Sequence, residues 1–336
     1  MTATVVPFQS SPEATYIPEG VPAPDVEPCA VEVTEDFETL RDRGRELVAK
    51  GSYREAAVVY RQAAQAATAA GEADLADEAL CGWGAAETEL GNGAEVMPEL
   101  RRILLGTTVD NNSCLAAYTL ARAHELEGQI KKALFYARLF RDRADYVERE
   151  GLAGMAQNLL GNLLAAEGRE AEAAECYRTA LRYTREAPPM WTAIAEGNLG
   201  YCLLSRATAA KQLRSATMRE ALRLLYRSMR TFRHGGAIQY TMLPHQDLCF
   251  AYLELKRPRL ARQHGIRALE LAEKYQDLAV VKNCLYLLGQ VAMQEHDNEA
   301  ARGFFCKLER RFYPEHTGLS TVLMSLDLRQ VVNLRA

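Results

Sequence analysis

The chain has 336 residues, a formal net charge of −4 and 25% charged residues, and its 48% hydrophobic share is that of an ordinary soluble globular protein. No stretch approaches the ~20 consecutive apolar residues of a membrane helix, which speaks against membrane insertion, and the N-terminus has no basic stretch followed by an apolar core, so no signal peptide is visible. The eight cysteines form no CxxC pair and no zinc-like spacing, so free thiols in a cytoplasmic protein are expected, with no metal and no cofactor. In chain order, residues 1–33 come first. They hold Pro7, Pro12, Pro18, Pro22, Pro24 and Pro28, half of the 12 prolines, with five acids and no Lys or Arg. Such a segment cannot sustain a helix or build a core, and is expected to be a disordered acidic tail.

From Thr34 onward, apolar residues recur at i, i+3, i+4 and i+7 in segments of about 15 residues. Thr34 is a candidate N-cap, with Glu35 and Asp36 in the first turn. Short breaks fall at Gly51-Ser52, Gly71, Gly91-Asn92-Gly93, Gly106, Gly128, Gly168, Pro188-Pro189, Gly235-Gly236 and Pro314, and they suit short helix–helix connections.

Self-similarity organises the helices. Gly44 is followed at +7 by Gly51, at +12 by Ala56, at +16 by Tyr60 and at +19 by Ala63; Gly161, Gly168, Ala173, Tyr177 and Ala180 repeat the frame. Looser copies run through Ala121, Gly128 and Ala133, through Cys249, Ala261 and Gly265, and through Gly289, Ala301 and Phe305. Gly200 and Ala221 fit with an insertion of about nine residues, and the copy at Gly84 is the weakest, with Val96 at the small-residue position. Two helices cross closely only where small residues sit at the crossing, which the anchor and +12 supply; the aromatic at +16 fills the remaining gap. Glycine at +7 suits a left-handed cap.

This frame resembles the tetratricopeptide repeat, an antiparallel helix pair. The anchors Gly44, Gly84, Ala121, Gly161, Gly200, Cys249 and Gly289 lie 37 to 49 residues apart, which resembles the long-repeat branch of that family. The resemblance implies an all-α, right-handed α-solenoid of about seven helix pairs over 34–316, with 317–336 as a C-terminal capping helix behind the tail at 1–33. It implies binding rather than catalysis: a non-catalytic scaffold or adaptor that holds a peptide or helix of another protein in a concave groove lined by the first helices. The alternatives are a peptide-sensing regulator acting on a separately encoded transcription or signalling regulator, and a nucleic-acid-associated factor, which the pI of about 6.0 and the lack of a reader motif disfavour.

In such a solenoid, groove residues lie at −3, +1 and +4 to +5 from each anchor. Those singled out are Arg41, Arg45, Tyr118, Arg122, Asn158, Asn162, Tyr201, Gln246, Phe250, Tyr286 and Gln290. Arginine and asparagine donors beside aromatic rings suit an extended peptide. Chaperone-binding members clamp a C-terminal carboxylate with a Lys/Asn set; here Asn158 stands where the lysine would be. Charge is uneven: the first 100 residues hold 19 acids and 6 bases. Arg219, Arg223, Arg227 and Arg230 line one face of one expected helix, either as a solvated surface or as a dock for an acidic partner. Catalytic signals are poor. There is no GxSxG, P-loop or GxGxxG, and His245 and Cys249, one helical turn apart, make two metal ligands without a third.

Overall fold

The computed structural model describes residues 35–146, 150–184 and 189–326, and among these every regular element is a helix. Helices α1 (Phe37–Ala49) and α2 (Tyr53–Ala69) form pair one. Pair two is α3 (Ala73–Glu89) with α4 (Gly93–Gly106), pair three α5 (Asp110–Leu126) with α6 (Ile130–Tyr146), and pair four α7 (Glu150–Ala166) with α8 (Glu170–Tyr183). Pair five is α9 (Pro189–Ala209) with α10 (Ala216–His234). A 3₁₀ turn, Ile238–Thr241, leads into pair six, α11 (Met242–Glu254) with α12 (Pro258–Lys274). Pair seven is α13 (Leu278–Gln294) with α14 (Asn298–Phe312), and the short α15 (Leu319–Ser325) follows. Each helix packs chiefly on its neighbours in sequence, as in a solenoid of stacked pairs. The architecture is a tetratricopeptide-type α-solenoid.

The anchor frame is a set of physical clearances. A β-carbon on Gly44 would lie 2.8 Å from the Tyr60 ring, and one on Gly161 would lie 2.5 Å from the Tyr177 ring; Gly289 meets Phe305 in the same way. Tyr60 also fills the space over Gly82, so one ring spans the crossing and the next pair. At pair six the sizes are exchanged: Cys249 is the anchor, and a β-carbon on Gly265 at +16 would lie 2.9 Å from its Sγ. At pair five Gly200 abuts Leu225, nine residues later than the frame, which locates the insertion. Those residues are spread over a longer end of α9, a longer connection and an earlier start of α10.

The turns repeat one hydrogen-bonded cap. After α1, the Ser52 N–H donates to the Leu47 carbonyl at 2.9 Å and Gly51 adopts a φ of 78°. The same closure recurs after pairs six and seven's first helices, but with Lys256 (φ 57°) and His296 (φ 62°) in the left-handed position.

The tail at 1–33, the N-cap expected at Thr34 and residues 327–336 of the expected capping segment lie outside the described residues. The cap of α1 is Asp36 instead, whose carboxylate accepts from the Thr39 N–H at 2.8 Å. At the far end, Glu309 of α14 accepts from the backbone N–H of Gly318 (3.2 Å) and Ser320 (2.6 Å), and Leu323 is buried. Among the described residues no helix is long and apolar enough to cross a membrane.

Candidate functional site

The −3 and +1 positions of the first helices differ widely in their surroundings. On α1, Arg41 pairs with Glu38 and Asp42, and Arg45 reaches Asp42 (3.4 Å) and Glu78 of α3 (3.1 Å). On α5, Tyr118 packs edge-on against Phe140, with ring centroids 5.6 Å apart. Arg122 bridges Glu89 of α3 (2.9 Å) and Glu125 (2.5 Å). Desolvation works against its charge, but Glu89 and Glu125 outweigh it and hold the guanidinium protonated.

On α7 and α9 the amides form a network. Asn198 Nδ2 donates to Asn158 Oδ1 (3.0 Å) and to Asn162 Oδ1 (3.1 Å), and the Tyr177 hydroxyl donates to Asn162 Oδ1 (3.0 Å). The acceptors of Asn158 and Asn162 are thereby used within the protein, while the Nδ2 groups of both remain on a half-buried surface as donors. Tyr201, on α9, is also half-buried.

The groove positions of the last two pairs are a correction to the sequence reading. Gln246 is fully buried, and Phe250, Tyr286 and Gln290 are also buried, so these four belong to the interior rather than to an open groove. The reason is local: α11 and α13 are buried nearly all round and pack on one another, and Tyr286 lies against Phe305, with centroids 6.3 Å apart.

Two tyrosines that the sequence reading passed over lie near Glu89. Tyr53, at the start of α2, and Tyr240, in the 3₁₀ turn before α11, gather with Tyr118 around Glu89 and Arg122, close enough for their charges to act on one another. Burial, with Glu89 adding to it, pushes the Tyr53 hydroxyl up to about 12, and burial raises Tyr118 and Tyr240 as well. The neighbouring Gln239 Nε2 donates to the Ala49 carbonyl at 3.3 Å, so the linker between pairs five and six touches pair one. The i, i+4 patterning of single helices carries no trace of this contact, since it joins positions 190 residues apart.

The arginine face of α10 is also corrected at one position. Arg219, Arg223 and Arg230 are exposed, with no carboxylate partner among the described residues, and Arg219 donates to the Arg214 carbonyl at 3.0 Å. Arg227, by contrast, pairs with Glu196 of α9, which is 2% exposed. Burial raises the Glu196 carboxyl and the arginine opposes that rise. Cys249 and His245 do not face one another as metal ligands: His245 Nδ1 lies 2.9 Å from His264 Nδ1, while Cys249 is buried at the crossing with its thiol pushed up to about 12. Among the described residues no group of three His, Cys, Asp or Glu is placed to hold a metal ion.

No family model and no curated protein sequence matches the chain. Solved structures do match. A Rap protein complexed with competence and sporulation factor superposes with a TM-score of 0.60 at 11% identity, over 87% of this chain and 78% of that one. Aspartyl phosphate phosphatase F from Bacillus subtilis gives 0.55 at 11% identity, over 89% and 96%. BtubC (BKLC) from P. vanneervenii gives 0.51 at 21% identity, over 67% and 89%. What the chain shares with all three is the arrangement of its helices.

Proposed function

We propose that the chain is a non-catalytic scaffold that holds an extended segment of a partner protein along the open half of its concave face, from α1 to α9. The observation that carries this reading is the amide set on α7 and α9. Asn158 and Asn162 have their oxygens committed within the protein, so their Nδ2 groups stand fixed as donors for the main-chain carbonyls of a bound strand. Tyr118 and Tyr201 supply apolar surface with a polar tip beside them. A Rap protein of the same architecture is seen in complex with competence and sporulation factor, which supports a ligand-holding use of this fold. The test is affinity capture from native lysate with the full chain and with Asn158→Ala/Asn162→Ala. A partner captured by the first should fall about tenfold with the second, for a loss of ~1.4 kcal/mol, with helicity unchanged. Equal capture would place the binding surface elsewhere.

The contact between Gln239 and Ala49 favours a second reading within the same class. A segment that enters the groove changes the spacing of pairs one and six, and the chain would then act as a peptide-sensing regulator of a separate protein. Solution scattering with and without the captured segment separates the two: a shift in radius of gyration supports the sensor, and an unchanged radius supports the plain scaffold.

A further inference from the structure

Residues of α10, α11 and α12 line a pocket of about 550 Å³, within the size range of small-ligand sites. Its floor breaks the repeat frame. The position of His245 is occupied by Leu40, Leu80, Ala117, Gln157, Glu196 and Leu285 in the other six pairs, and that of His264 by Val59, Glu99, Tyr136, Cys176, Leu224 and Phe304, so no other pair sets a histidine at either position. Here both histidines are buried, and they form a chain of hydrogen bonds whose direction is fixed at one end. Arg233 Nη2 can only donate, so His245 Nε2 accepts, at 3.1 Å, and the His245 proton sits on Nδ1. That proton is donated to His264 Nδ1 at 2.9 Å, which puts the His264 proton on Nε2, facing the Tyr226 hydroxyl at 3.2 Å. Tyr226 and Tyr252 share the last bond, at 2.9 Å. Both histidines are neutral in this chain, and desolvation in their buried positions favours that state.

The chain therefore holds Arg233 in place without neutralising it. Arg267, on the opposite wall, is already paired with Glu270 at 3.0 Å. Arg233 has no carboxylate partner among the described residues, so the pocket carries one uncompensated positive charge. Beside it lie Met229, Leu260 and Ile266, the last of them 40% exposed. A buried polar chain between packed helices is costly to keep for stability alone, and such features concentrate at functional sites.

We propose that this pocket is a second binding site, separate from the concave groove, for a monocarboxylate that carries an apolar group. The carboxylate seats on the Arg233 guanidinium and the apolar part lies against Met229, Leu260 and Ile266. A free small acid and the C-terminal residue of a peptide share this chemistry. The test is calorimetric titration of the full chain at neutral pH with N-acetyl-L-leucine, with a pentapeptide ending in leucine, and with the C-terminal amide of each. The acid form should bind at least tenfold more tightly than its amide, and Arg233→Gln should remove that difference while the amide's affinity stays as it was. Binding of both acids marks a site for free acids; binding of the peptide alone marks a site for a chain terminus. Ile266→Asp, at an exposed position, should weaken binding from the apolar side and serves if Arg233→Gln alters the circular dichroism. Asn158→Ala/Asn162→Ala should leave this binding intact, which separates it from the groove. No binding of either acid, equal binding of acid and amide, or indifference to both pocket variants would overturn the proposal.

Discussion

Residue by residue, stability follows from a few clearances. The β-carbon that Gly161 lacks would fall 2.5 Å from the Tyr177 ring, and that ring is itself pinned by Asn162. Gly161→Leu should therefore cost about 3 kcal/mol or more through overpacking, read as the shift of a urea midpoint; a wild-type midpoint would mean that the crossing is not tight. The left-handed caps give the opposite sign. His296 sits at φ 62°, where a side chain costs ~1–2 kcal/mol and glycine costs less, so His296→Gly should stabilise by a few tenths up to ~1 kcal/mol after glycine's own entropy is counted. Gly168→Ala, at φ 76°, should destabilise by ~1 kcal/mol. The α10 arginines divide in the same way. Arg223→Glu changes an exposed position whose helix neighbours are Arg219 and Arg227, and should move the melting temperature by less than about a degree or two. Arg227→Glu sets a second carboxylate beside buried Glu196 and should cost about 2 kcal/mol, below the value for a fully buried pair because the arginine side is half-exposed.

At the scale of elements, the histidine chain ties α10, α11 and α12 together and makes their packing depend on pH. His245 and His264 are both held below the usual 6.5, first by desolvation; His264, Arg233 and Arg267 then lower His245 further, and Arg233 lowers His264. His124, buried against Tyr136, has the same sign for the same first cause. The folded chain refuses protons that the unfolded chain accepts, so this contribution is fully present above pH 6.5 and is lost as the pH falls toward the depressed folded values. Each such group steepens the loss by at most ~1.4 kcal/mol per pH unit. Urea melts from pH 7 to pH 5, above most carboxylate titration, should show falling stability, and His245→Leu/His264→Leu should flatten most of the slope. An identical slope in that double variant would assign the effect to other groups. What was legible in the sequence also divides by element. The anchor frame, glycine against an aromatic ring in pairs one, four and seven and looser elsewhere, was legible because a tight crossing demands particular residues at fixed offsets within a pair. The sequence sets His245 one turn from Cys249 on α11, whereas its hydrogen-bond partner, His264, comes from α12 and leaves no mark on the pattern of α11. Arg227 looked solvated because its carboxylate lies on α9. The burial of Gln246, Phe250, Tyr286 and Gln290 depends on how α11 and α13 pack on one another, which no single helix's pattern encodes.

Among the described residues, the linker after α10 meets pair one at a hydrogen bond, although the two lie far apart in sequence. A solenoid's stability is close to a sum of nearest-neighbour interfaces, so a contact between pairs one and six adds little to folding but does bear on shape. That contact is small. Gln239 and Ala49 share one exposed hydrogen bond at 3.3 Å, and Tyr240 packs on Phe232 with ring centroids 5.6 Å apart, within electrostatic reach of Glu89. One such hydrogen bond is worth ~1 kcal/mol or less and partial burial of one tyrosine ~1–2 kcal/mol, so the closure is reversible at room temperature. Tyr240→Ser should remove most of it. Circular dichroism should stay helical, because no pair interface is lost, and the melting temperature should fall by only a few degrees in a chain of this length. The radius of gyration in solution scattering should rise, as pair one separates from the linker after α10. If the partner segment enters between these pairs, Tyr240→Ser should also speed its association, since the opening step is already made. A variant that keeps the wild-type radius would show that the pitch is set by the pair interfaces alone, and that Gln239 and Ala49 merely happen to meet.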